Sequence, residues 1–311
     1  MFPLWRRTRP ISSQFRGISR FPPNLPNPDC YLPNNGGYHD DSIDIQINVT
    51  YWTQDLQQVD APGEGTTTVM SARVKLTDVS QFRTGFANKY PSKQARHVND
   101  MTKRFKAVMG IDGDYCLYHE QGIVVRNGQT LRMRPHKGRD ELIVDENGDF
   151  HLITCTTQAK WDEYIAGGGT VLHAFCFGPA LVVDGVPLTN LDDVTIDNGK
   201  AKKAQRMVIG QIGKLEYLIL TNEGPESTAP KSVGFDLVQM ANLCVQFGLN
   251  NAYNLDGGSS STIALNNQKI NSPSSHKNRM VGDCIWFATL VKEETWREEE
   301  SVQTVEVEEN K

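Results

Sequence analysis

The chain has 311 residues, of which 38% are hydrophobic and 22% charged, values that are ordinary for a soluble protein of one large or two average domains. No segment approaches the roughly 18 to 20 consecutive apolar residues that a membrane-spanning helix needs. The net charge of -5 argues against a general nucleic-acid binder. The six cysteines are scattered without a C-x-x-C pair, so the sequence shows no zinc site.

The two ends of the chain differ from its middle. The first 20 residues are Pro-rich and carry five arginines and no acid, whereas the last 20, KEETWREEESVQTVEVEENK, are dominated by glutamate. Both patterns are typical of flexible, solvated tails. We therefore expect a basic leader over residues 1–41, a folded domain over 42–292 and an acidic tail over 293–311. Because the leader lacks the apolar stretch of a secretory signal, a cytoplasmic or phage-associated location is favoured over secretion.

Strands and hairpins dominate the predicted elements of the middle. IDIQINVTYW and TTTVMSARVKL alternate as half-buried strands do, and the later LEYLIL is short and apolar enough for a buried strand. Between them, GIVVRNGQTLRM, LIVDENGDFHLI and ALVVDGVPL each place Asn-Gly or Asp-Gly between apolar runs, which indicates tight hairpin turns.

Three helices are predicted, over residues 92–105, 157–166 and 236–247. The last is the clearest, because Leu237, Met240 and Cys244 repeat at helical spacing and Gly248 follows as a terminator. Together the elements predict a single α+β domain in which mixed, hairpin-rich β-sheets are covered by a few helices.

The segment NAYNLDGGSSSTIALNN, residues 251–267, admits two interpretations. An Asp-Gly pair between two strand-like runs is a strong hairpin signal. A two-residue turn, however, gives no reason for the second glycine and the four hydroxyl residues that follow it. Glycines let a backbone approach a ligand closely, and successive N–H groups beside hydroxyls suit an oxyanion. The segment is therefore also a candidate binding site.

An ordered set of motifs links this segment to a known family. NLDGGSSST follows SVGFDLVQMANLCVQFGLNNA and precedes NSPSSHKNRMVGDCIWF, and upstream stand GIDGDYC, GIVVRNG, FGPALVVDG and RMVIGQ in that order. From about Thr66 to Leu290 the chain thus resembles the NAGPA, or phosphodiester glycosidase, family, and an ordered set is far more specific than any single motif.

The resemblance implies a hydrolase that removes a sugar, similar to N-acetylglucosamine, from a sugar-1-phosphodiester by cleaving the anomeric C–O bond. That reaction builds positive charge on the sugar and negative charge on the departing phosphate, so it needs carboxylates and cations together. A sugar phosphodiester or a related small molecule is the expected ligand. The oligomeric state is left open.

The candidate catalytic residues are Asp256, Asp112, Asp114 and Glu223. Asp256 is the first choice for nucleophile, base or stabiliser of the cation, and a simple turn residue is its structural alternative. Asp112 and Asp114 alternate along an extended segment, so both should point to one side. Glu223 follows a buried strand where the family usually has Asp-Gly-Arg, and it could equally be an ordinary loop carboxylate.

Substrate and phosphate binding is expected from residues that donate hydrogen bonds or free the backbone. Arginine suits bidentate phosphate contact, although a lone arginine is more often structural. The candidates are Arg206, Arg279, Gly257, Gly258, Ser259, Ser260, Ser261 and His276. Cys116 is a further possible nucleophile, but nothing in the spacing places a base beside it.

The chain departs from the family pattern at several positions. Asp112 stands where the family usually has Asn, Ser259 where it has a third glycine, and Cys116 where it has an aromatic residue. A further carboxylate near a phosphate repels it unless that carboxylate is protonated or holds a cation. Asp112 and Asp114 offer Mg²⁺ or Ca²⁺ an incomplete ligand set, so no metal is assigned and a divalent cation stays an option.

Two other functions fit the same sequence. The fold could serve as a non-catalytic carbohydrate- or phosphate-binding module in an envelope or a phage particle, because a fold does not fix a function. It could also hydrolyse a phosphodiester derived from a nucleotide. Convergence of two or more carboxylates and an arginine would favour the enzyme.

Overall fold

The structure, a computed structural model, describes residues 23–191, 202–227, 231–272 and 278–295. Strands are the prevailing regular element of these residues, and three α-helices accompany them: α1 (Val98–Phe105), α2 (Gln158–Ala166) and α3 (Leu237–Gln246). None of the helices in these ranges has the length and hydropathy to cross a membrane. The strands are, in chain order, β1 (Tyr31–Leu32), β2 (Gly37–His39), β3 (Ile43–Trp52), β4 (Gln58–Val59), β5 (Thr67–Leu76), β6 (Phe82–Phe86), β7 (Met109–Asp112), β8 (Gly122–Arg126), β9 (Gln129–Arg134), β10 (Glu141–Val144), β11 (Phe150–Ile153), β12 (His173–Phe175), β13 (Ala180–Val183), β14 (Val186–Pro187), β15 (Arg206–Gly213), β16 (Glu216–Asn222), β17 (Asn251–Asn254), β18 (Ile263–Leu265), β19 (Gln268–Lys269) and β20 (Asp283–Phe287).

The strands form three sheets. The large sheet has ten strands in the order β1-β2-β3-β5-β16-β15-β17-β13-β14, with β4 beside β3. The middle sheet has the order β11-β10-β12-β8-β9, and the small sheet has the order β19-β18-β7-β20-β6. Every strand pairing among the described residues is antiparallel, so the expectation of mixed sheets was wrong. The chain folds back through hairpins, and antiparallel neighbours need no crossover helix.

The predicted hairpins form where turn residues allow positive φ. Asn127 and Gly128 (φ 50° and 74°) join β8 to β9, and Asp184 and Gly185 (φ 50° and 78°) join β13 to β14. Two successive positive φ values define the tight turn that matches the strand twist. Asn-Gly and Asp-Gly are the pairs that adopt it at low cost, which is why the sequence predicted both turns.

The predicted helices are present with adjusted ends. α3 starts after its cap Asp236, whose side chain accepts from the Gln239 backbone while the Gln239 side chain accepts from the Asp236 backbone. That reciprocal pair satisfies two donors of the first turn. α2 is capped by Thr157 as expected. α1 begins at Val98, six residues later than predicted, because residues 92–97 are irregular except for a bridge between Arg96 and Val281.

The main hydrophobic core lies where the large sheet packs against the other two. Met207 and Ile209 of β15 belong to it, whereas Val208 between them packs in a second core with α3. Both faces of β15 are thus buried, which explains its nearly continuous apolar sequence. α1 packs against the small sheet and α2 against the middle sheet.

Residues 31–39, placed by the sequence in the leader, belong to the large sheet. β1 pairs with β2, and β2 pairs with β3. Tyr38 is fully buried in the main core. The packed part of the chain therefore starts before residue 42. The described residues do not include the leader arginines or the two tryptophans near the chain ends, Trp5 and Trp296.

Candidate active site

The segment around Asp256 is not a hairpin. β17, which precedes it, pairs with β15 and β13 in the large sheet, whereas β18, which follows it, pairs with β7 in the small sheet. The intervening residues therefore bridge two sheets, with a short 3-10 helix over Gly258–Ser260. The extra glycine and hydroxyl residues belong to this crossing, and the hairpin interpretation was wrong.

The crossing brings Asp256 onto the end of β7. The backbone N–H of Asp256 donates to the carbonyl of Gly113 (3.2 Å), and the Thr262 N–H donates to Asp112 Oδ1 (2.8 Å). Asp112 is fully buried, whereas Asp256 keeps 8% exposure. Asp256 is therefore the carboxylate of this pair that solvent or a ligand reaches first.

Several buried polar atoms around this pair lack a protein partner. Asp112 Oδ2 and Asp256 Oδ2 accept no hydrogen bond from the described residues. The same holds for the hydroxyl oxygens of Ser260, Ser261 and Thr262. Ser260 faces the Asp256 carboxylate closely enough to lower its pKa, although the two do not meet hydrogen-bond geometry. Since buried polar groups are normally paired, this concentration marks a place prepared for a polar ligand.

Burial raises the pKa values of both carboxyl groups, but their other neighbours differ. Burial, followed by the nearby Asp256 charge, raises the pKa of Asp112 well above its ordinary value, against the Thr262 hydrogen bond that lowers it. Burial raises the pKa of Asp256 to about 6, while Ser260, Arg279 and the Gly257 N–H oppose that rise. A pKa of about 6 leaves Asp256 mostly ionised at neutral pH, whereas burial favours the protonated form of Asp112.

Asp114 faces a different partner, a buried arginine that the sequence analysis did not select. Arg126, only 4% exposed, places Nη2 2.8 Å from Asp114 Oδ1 and 3.1 Å from Asp283 Oδ2. Its guanidinium also lies 4.4 Å from the ring centre of Phe175. Burial works against ionisation of Asp114, but Arg126 and two further hydrogen bonds, from the backbone N–H groups of Cys116 and Cys176, hold its pKa below the usual range. We call Asp114, Arg126 and Asp283 the buried ion cluster.

A glycine allows the buried ion cluster to form beside the candidate site. A Cβ atom on Gly113 would lie 2.4 Å from the Asp283 carboxylate, far inside contact distance. Asp283 itself belongs to β20, which pairs with β7. Gly113 is therefore required between the two aspartates, Asp112 and Asp114, so that their side chains serve two different centres.

The same cluster bears on metal binding. Asp114, Cys116 and Asp283 offer three ligand atoms within 4.8 Å of one another. Arg126 Nη2 contacts all three, with Cys116 Sγ at 3.7 Å. A guanidinium already supplies the positive charge at that point, so the group is a poor metal site. Burial, followed by the Asp114 charge, raises the pKa of Cys116 well above its ordinary value, which argues against a thiolate nucleophile.

The predicted arginines lie in different surroundings. Arg279 is exposed, acts electrostatically on Asp256, and places its guanidinium 5.5 Å from the ring centre of Tyr115. The Arg206 guanidinium donates to the carbonyls of Phe235 (3.4 Å) and Lys202 (2.6 Å), and burial lowers its pKa to about 10. The structure therefore brings Arg279 to the carboxylates and directs the Arg206 side chain elsewhere.

The remaining predicted residues have varied positions. A Cβ atom on Gly257 would meet the Gln205 carbonyl at 2.9 Å, while Gly258 has φ 62° and open space around it. Ser259 is half-buried. Burial raises the pKa of Glu223, while a hydrogen bond from the Ser272 backbone opposes that rise. His276 lies outside the described residues.

Comparison with known proteins identifies the family of this chain. A family model described as phosphodiester glycosidase (NAGPA) matches residues 105–288, more than half of the chain. The chain therefore belongs to the phosphodiester glycosidase family. No curated protein matches the sequence significantly.

Two solved structures are similar in fold. The zebrafish N-acetylglucosamine-1-phosphodiester alpha-N-acetylglucosaminidase (NAGPA) catalytic domain, auto-inhibited by its pro-peptide, aligns with a TM-score of 0.62 at 13% identity, covering 86% of this chain and 87% of that one. A hypothetical protein from Synechocystis aligns with a TM-score of 0.53 at 14% identity, covering 80% of this chain and 62% of that one. At these identities the likeness concerns the fold.

Proposed function

We propose that this protein is a hydrolase that removes an N-acetylglucosamine-like sugar from a sugar-1-phosphodiester by cleaving the anomeric C–O bond. The observation that carries the proposal is the pair of adjacent carboxyl groups, Asp112 and Asp256, which have unpaired oxygens and differently shifted pKa values. Burial raises the pKa of Asp256 to about 6 and that of Asp112 well above its ordinary value. Glycoside hydrolases commonly use two carboxyl groups whose surroundings separate their pKa values.

Asp256 acts at the sugar. Asp256 keeps 8% exposure and lies beside the unpaired hydroxyls, so its ionised carboxylate can face the anomeric carbon of a bound sugar as that carbon becomes positive. It either attacks this carbon, activates water or stabilises the cation. All three roles require the negative charge that a pKa of about 6 leaves in place at neutral pH.

Asp112 acts as an uncharged hydrogen-bonding group. A protonated carboxyl offers one O–H donor and further acceptor capacity, as the amide of Asn offers a donor and an acceptor. Burial raises the pKa of Asp112 and so favours that form, in which its unpaired Oδ2 can approach a phosphate without repulsion. The Asn-to-Asp departure from the family pattern is then a change of atoms that conserves the hydrogen-bonding capacity at neutral pH.

Arg279 and the hydroxyls of Ser260, Ser261 and Thr262 hold the phosphate. Arg279 lies beside Asp256 and is exposed, so its guanidinium can bind a phosphate oxygen as the leaving group gains charge. Phosphate is a good leaving group, and proton donation by a strong acid contributes little. The convergence of two carboxyl groups with an arginine supports the enzyme over a non-catalytic binding module.

Product analysis in oxygen-18 water tests the proposal. The methyl phosphodiester of N-acetylglucosamine-1-phosphate is incubated with the protein, and the products are analysed by mass spectrometry. We expect free N-acetylglucosamine with the label on its anomeric hydroxyl and unlabelled methyl phosphate. When the C–O bond breaks, water supplies the new oxygen of the anomeric carbon, and the original oxygen leaves with the phosphate. Label on the phosphate would mean attack at phosphorus, and the proposed glycosidase would be rejected in favour of a phosphodiesterase.

The pH dependence of kcat/KM should report the two carboxyl groups. Activity should rise through about pH 6 as Asp256 loses its proton, because the ionised form is the active one. It should fall at higher pH, where Asp112 ionises beside the phosphate and repels it. In Asp112→Asn the alkaline decline should be absent while the rise near pH 6 remains. An alkaline decline unchanged in this variant would remove Asp112 from the proposed role.

A further inference from the structure

A row of cations and aromatic rings leads away from Asp256 along the surface. Arg279 lies 5.5 Å from the ring centre of Tyr115, and Tyr115 stacks on Tyr118 with 4.4 Å between ring centres and 23° between planes. At the far end, Lys93 Nζ lies 5.8 Å from the ring centre of Tyr118. We call these four residues the aromatic row. Its first member borders the candidate active site and its last two border a groove.

The groove has a volume of about 630 Å³ and lies between the segment after Asp114 and the β8–β9 hairpin. Three cationic side chains, Lys93, Arg132 and Arg134, line it, against a single carboxylate, Glu120. Tyr118 is 37% exposed within it. Tyr115 covers one face of the Tyr118 ring, and the other carries only the Lys93 ammonium group. The groove thus combines an aromatic face that a ligand reaches by displacing Lys93 with an excess of positive charge.

The cations of the groove have different tasks. Arg132 donates to the carbonyls of Cys116 (2.8 Å) and Gln121 (2.7 Å), so it holds the wall of the groove in place. Arg134 is exposed, and no hydrogen bond or ion pair within the described residues engages its guanidinium. Lys93 contacts only the open face of Tyr118 through its ammonium group in the same part of the chain. Arg134 and Lys93 are therefore available to an anionic ligand.

We propose that this groove binds the leaving group of the phosphodiester and selects an anionic saccharide, whose ring packs on Tyr118 and whose acidic group is bound by Lys93 and Arg134. The inference rests on the proposed function, which puts the scissile phosphate at Arg279, the first member of the aromatic row. The leaving group must extend from that phosphate, and the row leads from there into the groove.

Two physical arguments select this chemistry. The C–H face of a sugar ring gains contact with an exposed aromatic face when both leave water, while its hydroxyls stay hydrated at the groove's open side. The excess of positive charge favours a ligand with a negative group in addition to the scissile phosphate. A neutral alkyl leaving group would use neither feature.

Three substrates separate these contributions: N-acetylglucosamine-1-phosphate esterified to methanol, to methyl glucoside or to methyl glucuronide. The two glycosides are esterified at the same position and differ only at C6, which is a hydroxymethyl group in the glucoside and a carboxylate in the glucuronide. We expect KM to fall from methyl to glucoside and to fall again, about two- to fivefold, for the glucuronide, as for an exposed ion pair. The second fall should vanish at 1 M salt, where the screening length is about 3 Å.

Variants assign each effect to its side chain. Lys93→Ala and Arg134→Ala should abolish the preference for glucuronide over glucoside, and Lys75→Ala, an exposed lysine on the large sheet, should leave that preference unchanged. Tyr118→Ala should abolish the preference for glucoside over methyl, and Tyr118→Phe should retain it, although it loses the hydrogen bond to the Lys93 carbonyl. Unchanged preferences in Lys93→Ala and Arg134→Ala would overturn the proposal.

A binding measurement distinguishes failure of the groove from failure of the proposed function. Calorimetric titration with phosphorylated methyl glucuronide, the expected leaving group, reports the groove without turnover. Binding that weakens two- to fivefold in Lys93→Ala or Arg134→Ala supports the groove even if no substrate is hydrolysed, in which case only the proposed reaction fails. Hydrolysis of the methyl substrate with no binding of this ligand would overturn the groove alone.

Discussion

Asp256→Asn should lower kcat by at least about 1,000-fold while KM changes little, as expected for removal of a group that acts mainly in the transition state. The amide keeps the shape of the carboxylate but cannot attack the anomeric carbon, activate water or stabilise its positive charge. Substrate contacts made by Arg279 and the serine hydroxyls remain in the variant. Initial-rate kinetics with the methyl phosphodiester measure both constants.

Asp184→Asn provides a matched control for this change. Asp184 also precedes a glycine in a turn, but it joins β13 to β14 and is not part of the candidate site. Its positive φ of 50° suits Asn as well as Asp, so fold and activity should be preserved. A kcat in Asp256→Asn close to that of Asp184→Asn would show that Asp256 has no catalytic role.

Arg126→Met should destabilise the protein by about 3–5 kcal/mol, the range found when one partner of a buried ion pair is removed. Met fills similar apolar space against Phe175, but it leaves Asp114 and Asp283 buried without their cation. Chemical denaturation monitored by circular dichroism measures the loss. Arg73→Met is the control, because Arg73 forms an exposed ion pair with Glu216, worth about 1 kcal/mol or less.

The pH dependence of the Arg126→Met variant tests whether its loss of stability comes from the unpaired buried carboxylates. Without Arg126, both carboxyl groups must be protonated in the folded state, so their folded pKa values rise above the unfolded ones. Stability gained from such groups is complete at low pH and is lost as pH rises through the folded pKa values. The deficit of Arg126→Met should therefore be larger at pH 8 than at pH 5. Restoration of stability at pH 8 by adding Asp114→Asn and Asp283→Asn would assign the deficit to buried charge.

Local signals in the sequence were enough for much of the fold. Hairpin turns, the capped helix α3 and the long strands β3 and β5 depend on residues close together in the chain, and each was predicted where it lies. The antiparallel arrangement of all the strands was not predicted, because packing between distant segments determines which strands pair. The crossing after Asp256 shows the difference: Asp-Gly fits a hairpin locally, yet β17 and β18 join different sheets.

The candidate site was predictable where its residues stand in recognisable motifs. Asp112 and Asp256 were selected together, and the structure places them side by side. Arg126 and Asp283 were missed, although each is a lone charged residue in an apolar strand and therefore a sign of a buried ion pair. Arg206 was predicted to bind phosphate because the sequence does not reveal which face of β15 its side chain occupies.

The position of β20 in the small sheet bears on how the protein folds. β20 is the last strand in the described residues, yet it lies between β7 and β6 rather than at an edge. Its Asp283 reaches Arg126 across 157 positions of sequence. Contacts of such long range form late, because the entropic cost of closing the loop between them arises before packing contributes any stability. A nascent chain on the ribosome must therefore wait for its C-terminal portion before the sheet closes and the two carboxyl centres assemble, in one final step.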